Sequence, residues 1–400
     1  MTDPRQHIMP VYRPPEEVFV EGKGAYLFTE DGTRYLDFIA GIAVTALGHA
    51  HPALVDALRD QAGKLWHTSN MFRVPAAEQL ADKICRDTFA DRVFFTNSGT
   101  EAIECAIKSA RKYHWANGRE ERIDIITFTG AFHGRSIGAI NAGGNPKYLE
   151  GFGPALPGFV HLEWGDHDAL KEAASRPTAA AVLVEPVQGE GGVRIASDEF
   201  MKGLRALADE HDLLLVLDEV QTGVARTGTF YAYEQFGIEP DILATAKGIG
   251  GGFPLGACLA TEKAARGMVV GTHGSTYGGN PLAIAAGEAV LDAVANEEFL
   301  SAVRAKGDRL RMRLEQFIGN YPDLFEAVRG RGLLIGLKMK VEPRPFVAHM
   351  RDRHQVLTVS AADNTMRIVP PLVIDDSHID EFMEKLSAGA ASYMPEELAG

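Results

Sequence analysis

A single lysine, Lys247, stands between an apolar run and a stretch of glycines in the segment TAKGIGGGFPLGA, residues 245–257. Such a lysine is either a solvated surface residue before a flexible loop or a desolvated amine that forms an imine with a carbonyl cofactor. An imine-forming lysine requires other groups nearby that bind the same cofactor. The residues at the neighbouring strand ends therefore distinguish the two alternatives.

Asp218 is one candidate neighbour of Lys247. It lies at the end of the apolar run LLLVLDE, residues 213–219, where a buried carboxylate requires a cationic or protonated partner. An aspartate at a strand end can also simply cap a turn. The chain between the two residues is long enough for a crossover and for the strand-like segment DILATA, residues 241–246. Both side chains can therefore reach the same edge of a sheet.

The segment NSGT, residues 97–100, follows a strand-like run and precedes a helical pattern. Free N–H groups at a helix start, together with the helix dipole, favour the binding of a phosphate group. Gly99 would let the backbone approach that phosphate, and Thr100 would add a hydroxyl group. Ser98 and Glu101 also have the spacing of a capping box, so the segment can equally be an ordinary helix start.

Two further loops could hold a flat, charged ligand. In FTGAFHGRS, residues 128–136, Phe132 could cover a ring and Arg135 could bind a carboxylate through two parallel hydrogen bonds, although both residues have ordinary structural uses. The loop HGSTYGGNP, residues 273–281, could donate hydroxyl groups to a phosphate or merely turn. Taken together, an amine, a carboxylate, a phosphate site and a stacking ring indicate pyridoxal 5'-phosphate.

The elements that carry these residues follow a regular order. From about residue 80 to residue 290, short β-type apolar runs alternate with amphipathic helical stretches. This pattern predicts an α/β fold with a mostly parallel sheet, helices on both faces, and ligands at the carboxyl ends of the strands. We expect residues 53–291 to form this large cofactor-binding domain. Residues 1–52 and 292–400 are expected to form a smaller α+β domain built from both termini.

Composition limits the function classes. The chain has 40 basic and 54 acidic residues and a net charge of −14, which disfavours nucleic acid as a partner. No apolar stretch reaches the roughly 18 residues of a membrane span. The start of the chain lacks the apolar core of a secretory signal, and Cys85, Cys105 and Cys258 form no CxxC pair. We therefore expect a cytoplasmic protein.

Two other motifs are weaker. The stretch GIGGGFPLG departs from the dinucleotide fingerprint GxGxxG at Phe253, and no acidic residue follows at the required distance. The pair His49 and His51 in HAHP lacks a third carboxylate ligand nearby, so we expect it to be structural and expect no metal site.

The motifs together resemble those of the class III, ω-amino group of fold-type I pyridoxal-phosphate aminotransferases over nearly the full chain. The most specific part of the match is the long segment from LLLVLDEVQTG to TAKGIGGGFPLGA, residues 213–257. Within that family the chain is most similar to the members that act on N-acetylornithine, on the strength of these further motifs: MPVY, GIAVTALGHAHP, NSGTEAIECAIK, FHGRS, EPVQGEGGV, HGSTYGGNPLA and RIVPPLVI.

The resemblance implies a role for each cofactor-facing residue. Lys247 would bind the cofactor aldehyde and then carry a proton between the substrate carbon and the cofactor carbon. Asp218 would keep the pyridine nitrogen protonated, Gln221 would hold the ring hydroxyl, and Phe132 would stack on the ring.

The resemblance also implies a homodimer. Gly99 and Thr100 match the phosphate site of one subunit, whereas Thr276 matches a phosphate contact from the other subunit, with Ser275 beside the substrate. A monomer would then lack a complete site.

The substrate contacts are implied in the same way. Arg135 matches the residue that binds the α-carboxylate of acetylornithine, and Arg367 matches the one that binds the α-carboxylate of glutamate or 2-oxoglutarate. Glu190 would pair with Arg367 while an ω-amino substrate, which has no carboxylate on its reacting carbon, is bound. Tyr12 in MPVY is a further substrate-binding candidate, and the apolar Ile42 suits an acetylated nitrogen better than a free α-amino group.

The expected reaction is a ping-pong transfer of the δ-amino group of N-acetylornithine to 2-oxoglutarate. Succinylornithine, ornithine and 4-aminobutyrate stay open as alternative donors. A non-catalytic relative that binds the cofactor, and an aminomutase or racemase that needs no keto acid, are the alternatives of other classes.

Overall fold

Strands and helices alternate along the chain in the computed structural model, which describes residues 7–394. The strands are β1 (Phe19–Lys23), β2 (Tyr26–Thr29), β3 (Arg34–Asp37), β4 (Arg92–Thr96), β5 (Asp124–Phe128), β6 (Phe159–Leu162), β7 (Ala179–Val184), β8 (Val187–Gln188), β9 (Arg194–Ile195), β10 (Leu214–Asp218), β11 (Ile242–Thr245), β12 (Gly256–Ala260), β13 (Phe325–Arg331), β14 (Leu334–Met339), β15 (Val356–Leu357), β16 (Val359–Ala361) and β17 (Thr365–Ile368).

The α-helices are α1 (Ala40–Ala43), α2 (Pro52–Ala62), α3 (Pro75–Asp87), α4 (Gly99–Ala116), α5 (Ile137–Gly143), α6 (Pro146–Leu149), α7 (His167–Ala174), α8 (Asp198–Glu210), α9 (Glu262–Ala265), α10 (Pro281–Val294), α11 (Glu297–Ile318), α12 (Pro343–His354) and α13 (Asp376–Ser392). Short 3₁₀ turns cover Ser69–Met71, Ala232–Phe236 and Lys247–Gly250.

The central sheet has the strand order β4-β12-β11-β10-β7-β5-β6. The pairs from β11 to β6 are parallel, whereas β12 runs antiparallel to both β11 and β4. The strand β7 is buried at every position, because apolar clusters cover both faces of the sheet. The predicted α/β class with a mostly parallel sheet is confirmed.

Strand β12 decides which loops meet at the sheet edge. Its register pairs Gly256 with Thr96 and Ala257 with Thr245, so its first residue lies beside the carboxyl ends of β4 and β11. Consequently, the start of α4, which follows β4, and the segment that follows β11 lie at the same edge as the end of β10.

The remaining strands of the described residues form two four-stranded sheets and the antiparallel pair β8-β9. One has the order β1-β2-β3-β15, so the segment 356–357 pairs with the segment 36–37 from the opposite end of the chain. The other has the order β13-β14-β17-β16. Residues 1–6 and 395–400, which the sequence assigns to the smaller domain, lie outside the described residues. No helix within residues 7–394 is both long enough and apolar enough to span a bilayer.

We predict that Gly307→Ala lowers the free energy of unfolding by about 1–3 kcal/mol. A Cβ atom at Gly307, in α11, would overlap the backbone carbonyl group of Gly332, in the turn between β13 and β14. Gly203→Ala, in α8, is the matched control because a Cβ there has no atom within 4 Å. Its better helix propensity should leave stability unchanged or raise it by about 0.5–1 kcal/mol. Denaturant midpoints of the two variants check this, and equal midpoints would contradict it.

Candidate active site

A cavity of about 340 Å³ opens at the carboxyl edge of the central sheet, within the size range of small-molecule and cofactor sites. Seven residues assigned a role in the sequence analysis line this cavity: Gly99, Thr100, Phe132, Glu190, Asp218, Gln221 and Lys247. Thus the strand ends that carry the candidate amine and the candidate carboxylate lie around one space.

Lys247 lies in the wall of the cavity at the start of a 3₁₀ turn, with a backbone φ of 51°. Burial lowers the pKa of its amine to about 8, and the positive charge of Arg367 acts in the same direction. Within the described part of the chain its amine forms no hydrogen bond or ion pair. The glycines that follow are needed to return the chain into β12, because Gly251 and Gly252 have φ values of 59° and 120°. Lys247 is therefore a desolvated amine rather than a solvated surface residue.

Asp218 is buried at the end of β10, where its carboxylate has two partners. Oδ1 accepts a hydrogen bond from the backbone N–H of Val220 at 3.0 Å, and Oδ2 lies 2.7 Å from Nδ1 of His133. Burial opposes protonation of His133, but the hydrogen bond and the charge of Asp218 outweigh it and raise the pKa of the imidazole. The carboxylate thus has the protonatable partner that its burial requires.

Glu185 is a second buried carboxylate beside this pair. Its Oε1 accepts from the backbone N–H of Phe132 at 2.9 Å, and its Oε2 accepts from the N–H of Gly189 at 3.2 Å. Burial raises the pKa of Glu185 to about 7, and the charge of Asp218 adds to this rise. The sequence analysis assigned no role to Glu185 or His133. The available signal was a polar residue in an apolar segment for Glu185 and in a glycine-rich segment for His133.

The start of α4 provides the anion-binding end of the cavity. Ser98 caps the helix by accepting a hydrogen bond from the backbone N–H of Glu101 at 3.3 Å. The N–H groups of Gly99 and Thr100 have no acceptor inside the helix, as is general for the first turn, and both residues line the cavity. A Cβ atom at Gly99 would lie 2.7 Å from Cγ1 of Val220. Only glycine therefore fits where the helix start approaches the segment after Asp218.

Arg367 approaches the same cavity from β17 and is fully buried. One of its terminal nitrogens lies 2.7 Å from Oε1 of Glu190 and donates to Oε1 of Gln221 at 3.0 Å. In the described residues, its Nε and its other terminal nitrogen have no partner. Because buried charged donors are normally paired, this arginine can bind a further anionic group. The contact with Gln221 uses the carbonyl oxygen of that side chain and leaves its amide nitrogen available.

Arg135 follows the loop that carries Phe132. Its guanidinium lies 3.9 Å from the centre of the Tyr148 ring and 5.6 Å from that of Phe132. Across residues 7–394 it forms no salt bridge with a carboxylate. Aromatic rings therefore contact the guanidinium of Arg135, and its N–H groups stay available to bind an anionic group.

Other predicted site residues do not line the cavity in the single chain. Tyr12 is 85% exposed. The hydroxyl group of Ser275 accepts from the backbone N–H of Gly278 at 2.9 Å and lies next to Thr276 at the protein surface. Ile42, at a φ of 64°, lies in the single turn α1, where four successive residues have positive φ. His49 of the HAHP motif bonds Asp37 at 2.7 Å.

A family model described as aminotransferase class-III matches residues 10–389. The chain therefore belongs to the class III aminotransferases. Among its relatives, the acetylornithine aminotransferase of Agrobacterium fabrum is 56% identical over 94% of this chain and 93% of that protein. The acetylornithine aminotransferase of Rhodobacter capsulatus is 54% identical over 96% of this chain and 98% of that protein.

Solved structures support the same assignment. The N-acetylornithine aminotransferase of Stenotrophomonas maltophilia is 38% identical and superimposes with a TM-score of 0.83, covering 95% of this chain and 96% of the other. The ornithine aminotransferase of Toxoplasma gondii is 31% identical with a TM-score of 0.93, covering 97% and 93%. The fold is thus that of the fold-type I aminotransferases.

Class III aminotransferases use pyridoxal phosphate, and the residues of the cavity fit this group. The free N–H groups at the start of α4 suit its phosphate, the buried carboxylate of Asp218 suits its protonated ring nitrogen, and the desolvated amine of Lys247 suits its aldehyde. Each of these three needs is met by a residue that lines the same cavity.

We predict that covalent attachment of pyridoxal phosphate to the apoprotein accelerates with pH and levels off above about 8, because only the neutral amine of Lys247 reacts. At pH 7 about one amine in ten is neutral, against roughly one in three thousand for an unperturbed lysine. Arg367→Gln should move the midpoint upward, because it removes a positive charge that lowers this pKa. Stopped-flow absorbance measures the rates. A midpoint near 10 in both proteins would contradict the assignment.

Proposed function

We propose that the protein transfers the δ-amino group of N-acetylornithine to 2-oxoglutarate, giving N-acetylglutamate 5-semialdehyde and glutamate in arginine biosynthesis. One observation carries this proposal: Arg367 is fully buried beside the cavity that Lys247 lines, it is paired with Glu190 at 2.7 Å, and its Nε and its other terminal nitrogen have no partner among the described residues. Arg367 can bind a substrate carboxylate, and Glu190 can occupy Arg367 when the substrate has none at that position. Such a pair suits an enzyme whose substrates alternate between an ω-amine and an α-keto acid. Relatives that are more than 50% identical are acetylornithine aminotransferases.

The cofactor, when bound, supplies an electron sink for the negative charge that develops on the substrate carbon. Asp218 would hold the proton on the ring nitrogen, and His133 and the N–H of Val220 orient its carboxylate. Lys247 would hold the cofactor aldehyde, and its Nζ, once released, would move the proton to and from the substrate carbon. Phe132, which lines the cavity, would cover the ring.

Glu190 and Arg367 adapt the site to two different partners. When the ω-amino donor is bound, the reacting carbon carries no carboxylate, and Glu190 neutralises the buried guanidinium. When 2-oxoglutarate or glutamate binds, its α-carboxylate takes the place of Glu190 on Arg367. This exchange avoids leaving a buried charge unpaired, which costs several kcal/mol.

Arg135 binds the carboxylate at the far end of both substrates. In acetylornithine this group is the α-carboxylate, and in 2-oxoglutarate it is the carboxylate farthest from the keto carbon. Its guanidinium has no competing salt bridge among residues 7–394, and its N–H groups can form the bidentate contact that planar carboxylates prefer. The apolar Ile42 suits the acetylated nitrogen of the donor.

The protein also acts as a homodimer in this proposal, with Thr276 and Ser275 completing the site of the partner subunit. Large apolar side chains are exposed in the same chain segment, namely Val270 and Tyr277, and in the segment that contains Asn70, namely Trp66, Met71 and Phe72. Asn70, within this exposed region, donates to the backbone carbonyl of Ser275 at 3.4 Å. An apolar surface of this kind around polar site residues favours a subunit interface.

Two further assignments accompany this function. We propose residues 53–291 as the cofactor-binding domain and the two flanks, 1–52 and 292–400, as the smaller domain that carries Arg367. The free thiols of Cys85, Cys105 and Cys258 fit the reducing environment of the cytoplasm.

Kinetics with a panel of donors test the substrate. We expect the kcat/KM for N-acetylornithine, with 2-oxoglutarate as acceptor, to exceed those for ornithine and 4-aminobutyrate by at least about tenfold, which corresponds to about 1.4 kcal/mol. Succinylornithine should lie between them. Lys247→Ala is the control and should show no turnover with any donor. Preference for ornithine or 4-aminobutyrate, or turnover without a keto acid, would refute the proposal.

A further inference from the structure

The guanidinium of Arg135 offers two different surfaces to its surroundings. Its flat face can rest on an aromatic ring, whereas its N–H donors all point outward in the plane of the group. A contact with the face therefore fixes the orientation of the donors without using any of them. This distinction matters for a long side chain that is exposed, as that of Arg135 is.

We propose that Tyr148 is a positioning residue that holds Arg135 by its face and thereby aims its N–H donors at the carboxylate distal to the reacting amine. This inference rests on the proposed function, because it presupposes a substrate with such a carboxylate. It adds a residue that does not contact the cofactor.

The geometry of three residues carries this proposal. The guanidinium carbon of Arg135 lies 3.9 Å from the centre of the Tyr148 ring, well within the range of a cation–π contact. The rings of Tyr148 and Phe132 meet edge to face, with centres 6.2 Å apart and planes at 85°. The rings of Phe132 and Tyr148 thus pack directly against each other.

The backbone around Tyr148 makes it a fixed platform. Asn145 caps the short helix α6 by accepting a hydrogen bond from the N–H of Lys147 at 3.0 Å, and Pro146 occupies its first position. The N–H of Tyr148 donates to the carbonyl of Asn145 at 2.9 Å. Tyr148 lines a second cleft of about 770 Å³, which also includes Phe132 and Glu190. The sequence NPKY therefore sets an aromatic ring next to the substrate side of the site.

Among the described residues, Phe132 also places a ring near the guanidinium of Arg135, but its centre is 5.6 Å away, against 3.9 Å for Tyr148. The guanidinium of Arg135 has no salt bridge there, and the backbone N–H of Arg135 donates to Oγ1 of Thr100 at 3.3 Å, which fixes the main chain but not the side chain. The Tyr148 hydroxyl has no hydrogen-bond partner within residues 7–394. The contact thus depends on the ring alone, and Tyr148→Phe should preserve it.

The test compares two donors that differ by one carboxylate. N-acetylornithine and N-acetylputrescine share the terminal amine and the acetamide, but only the first carries the group that Arg135 binds. Single-turnover measurements of the first half-reaction give kcat/KM for each donor without interference from 2-oxoglutarate. The variants are Tyr148→Leu, Tyr148→Phe, Arg135→Ala, and Arg135→Ala combined with Tyr148→Leu.

We expect Tyr148→Leu to lower kcat/KM for N-acetylornithine by roughly three- to tenfold, the size of a partly exposed cation–π contact. The loss should come through weaker donor binding, and kcat/KM for N-acetylputrescine should change less than about twofold. Tyr148→Phe should match the wild type. In the Arg135→Ala background, Tyr148→Leu should add nothing, because the residue it positions is gone.

An equal loss for both donors would overturn the inference, since it would assign Tyr148 a merely structural role. A loss in Tyr148→Phe would also overturn it. If the wild-type enzyme does not use N-acetylornithine, the proposed function fails separately. The same ratio is then measured with the preferred carboxylate-bearing donor and its decarboxylated analogue, and the same two outcomes decide on Tyr148.

Discussion

The charged side chains in and beside the cavity are buried, so each requires a partner of opposite charge. The rest of the structure depends on this requirement. Arg367 is buried against Glu190, and Asp218 is buried against His133. An isolated charge in such a place would be strongly unfavourable. Lys247 responds to the same desolvation in another way, by a lower pKa. Burial thus has two consequences. It makes the amine of Lys247 more reactive, and it leaves the guanidinium of Arg367 able to pair with a further carboxylate.

The central and C-terminal sheets supply these charges from different parts of the chain. Asp218 and Lys247 come from adjacent parallel strands of the central sheet, whereas Arg367 comes from β17 of a separate sheet. Arg226 links the two regions, because its buried guanidinium donates to the backbone carbonyls of Leu333 and Pro370. The segment after Asp218 is therefore tied to the residue that precedes β14 and to the segment that follows β17.

The sequence was informative where a signal was local. The apolar runs before NSGT, at residues 213–219 and at residues 241–246 predicted β4, β10 and β11, and the succession of these strands correctly predicted that the candidate amine and carboxylate share an edge. Strand β12, GACLA, was missed because small residues and glycine give it little β propensity. Yet this antiparallel strand is what brings the start of α4 next to Lys247.

Pairings between distant segments could not be read from the sequence in the same way. The contact of His133 with Asp218, that of Glu185 with two loop N–H groups, and that of Tyr148 with Arg135 each depend on tertiary packing. From residue type alone, each of these positions was equally compatible with an ordinary structural role. The resemblance to a known family named the residues that meet the cofactor and left out those that orient them.

The central claim is that the amine of Lys247 and the carboxylate of Asp218 hold opposite ends of one cofactor. Borohydride reduction of the enzyme saturated with pyridoxal phosphate, followed by peptide mass spectrometry, tests it most directly. The account predicts a phosphopyridoxyl group on Lys247, absent in Lys247→Ala and retained in Asp218→Asn with turnover lost. A label on another lysine, or one that persists in Lys247→Ala, would contradict it.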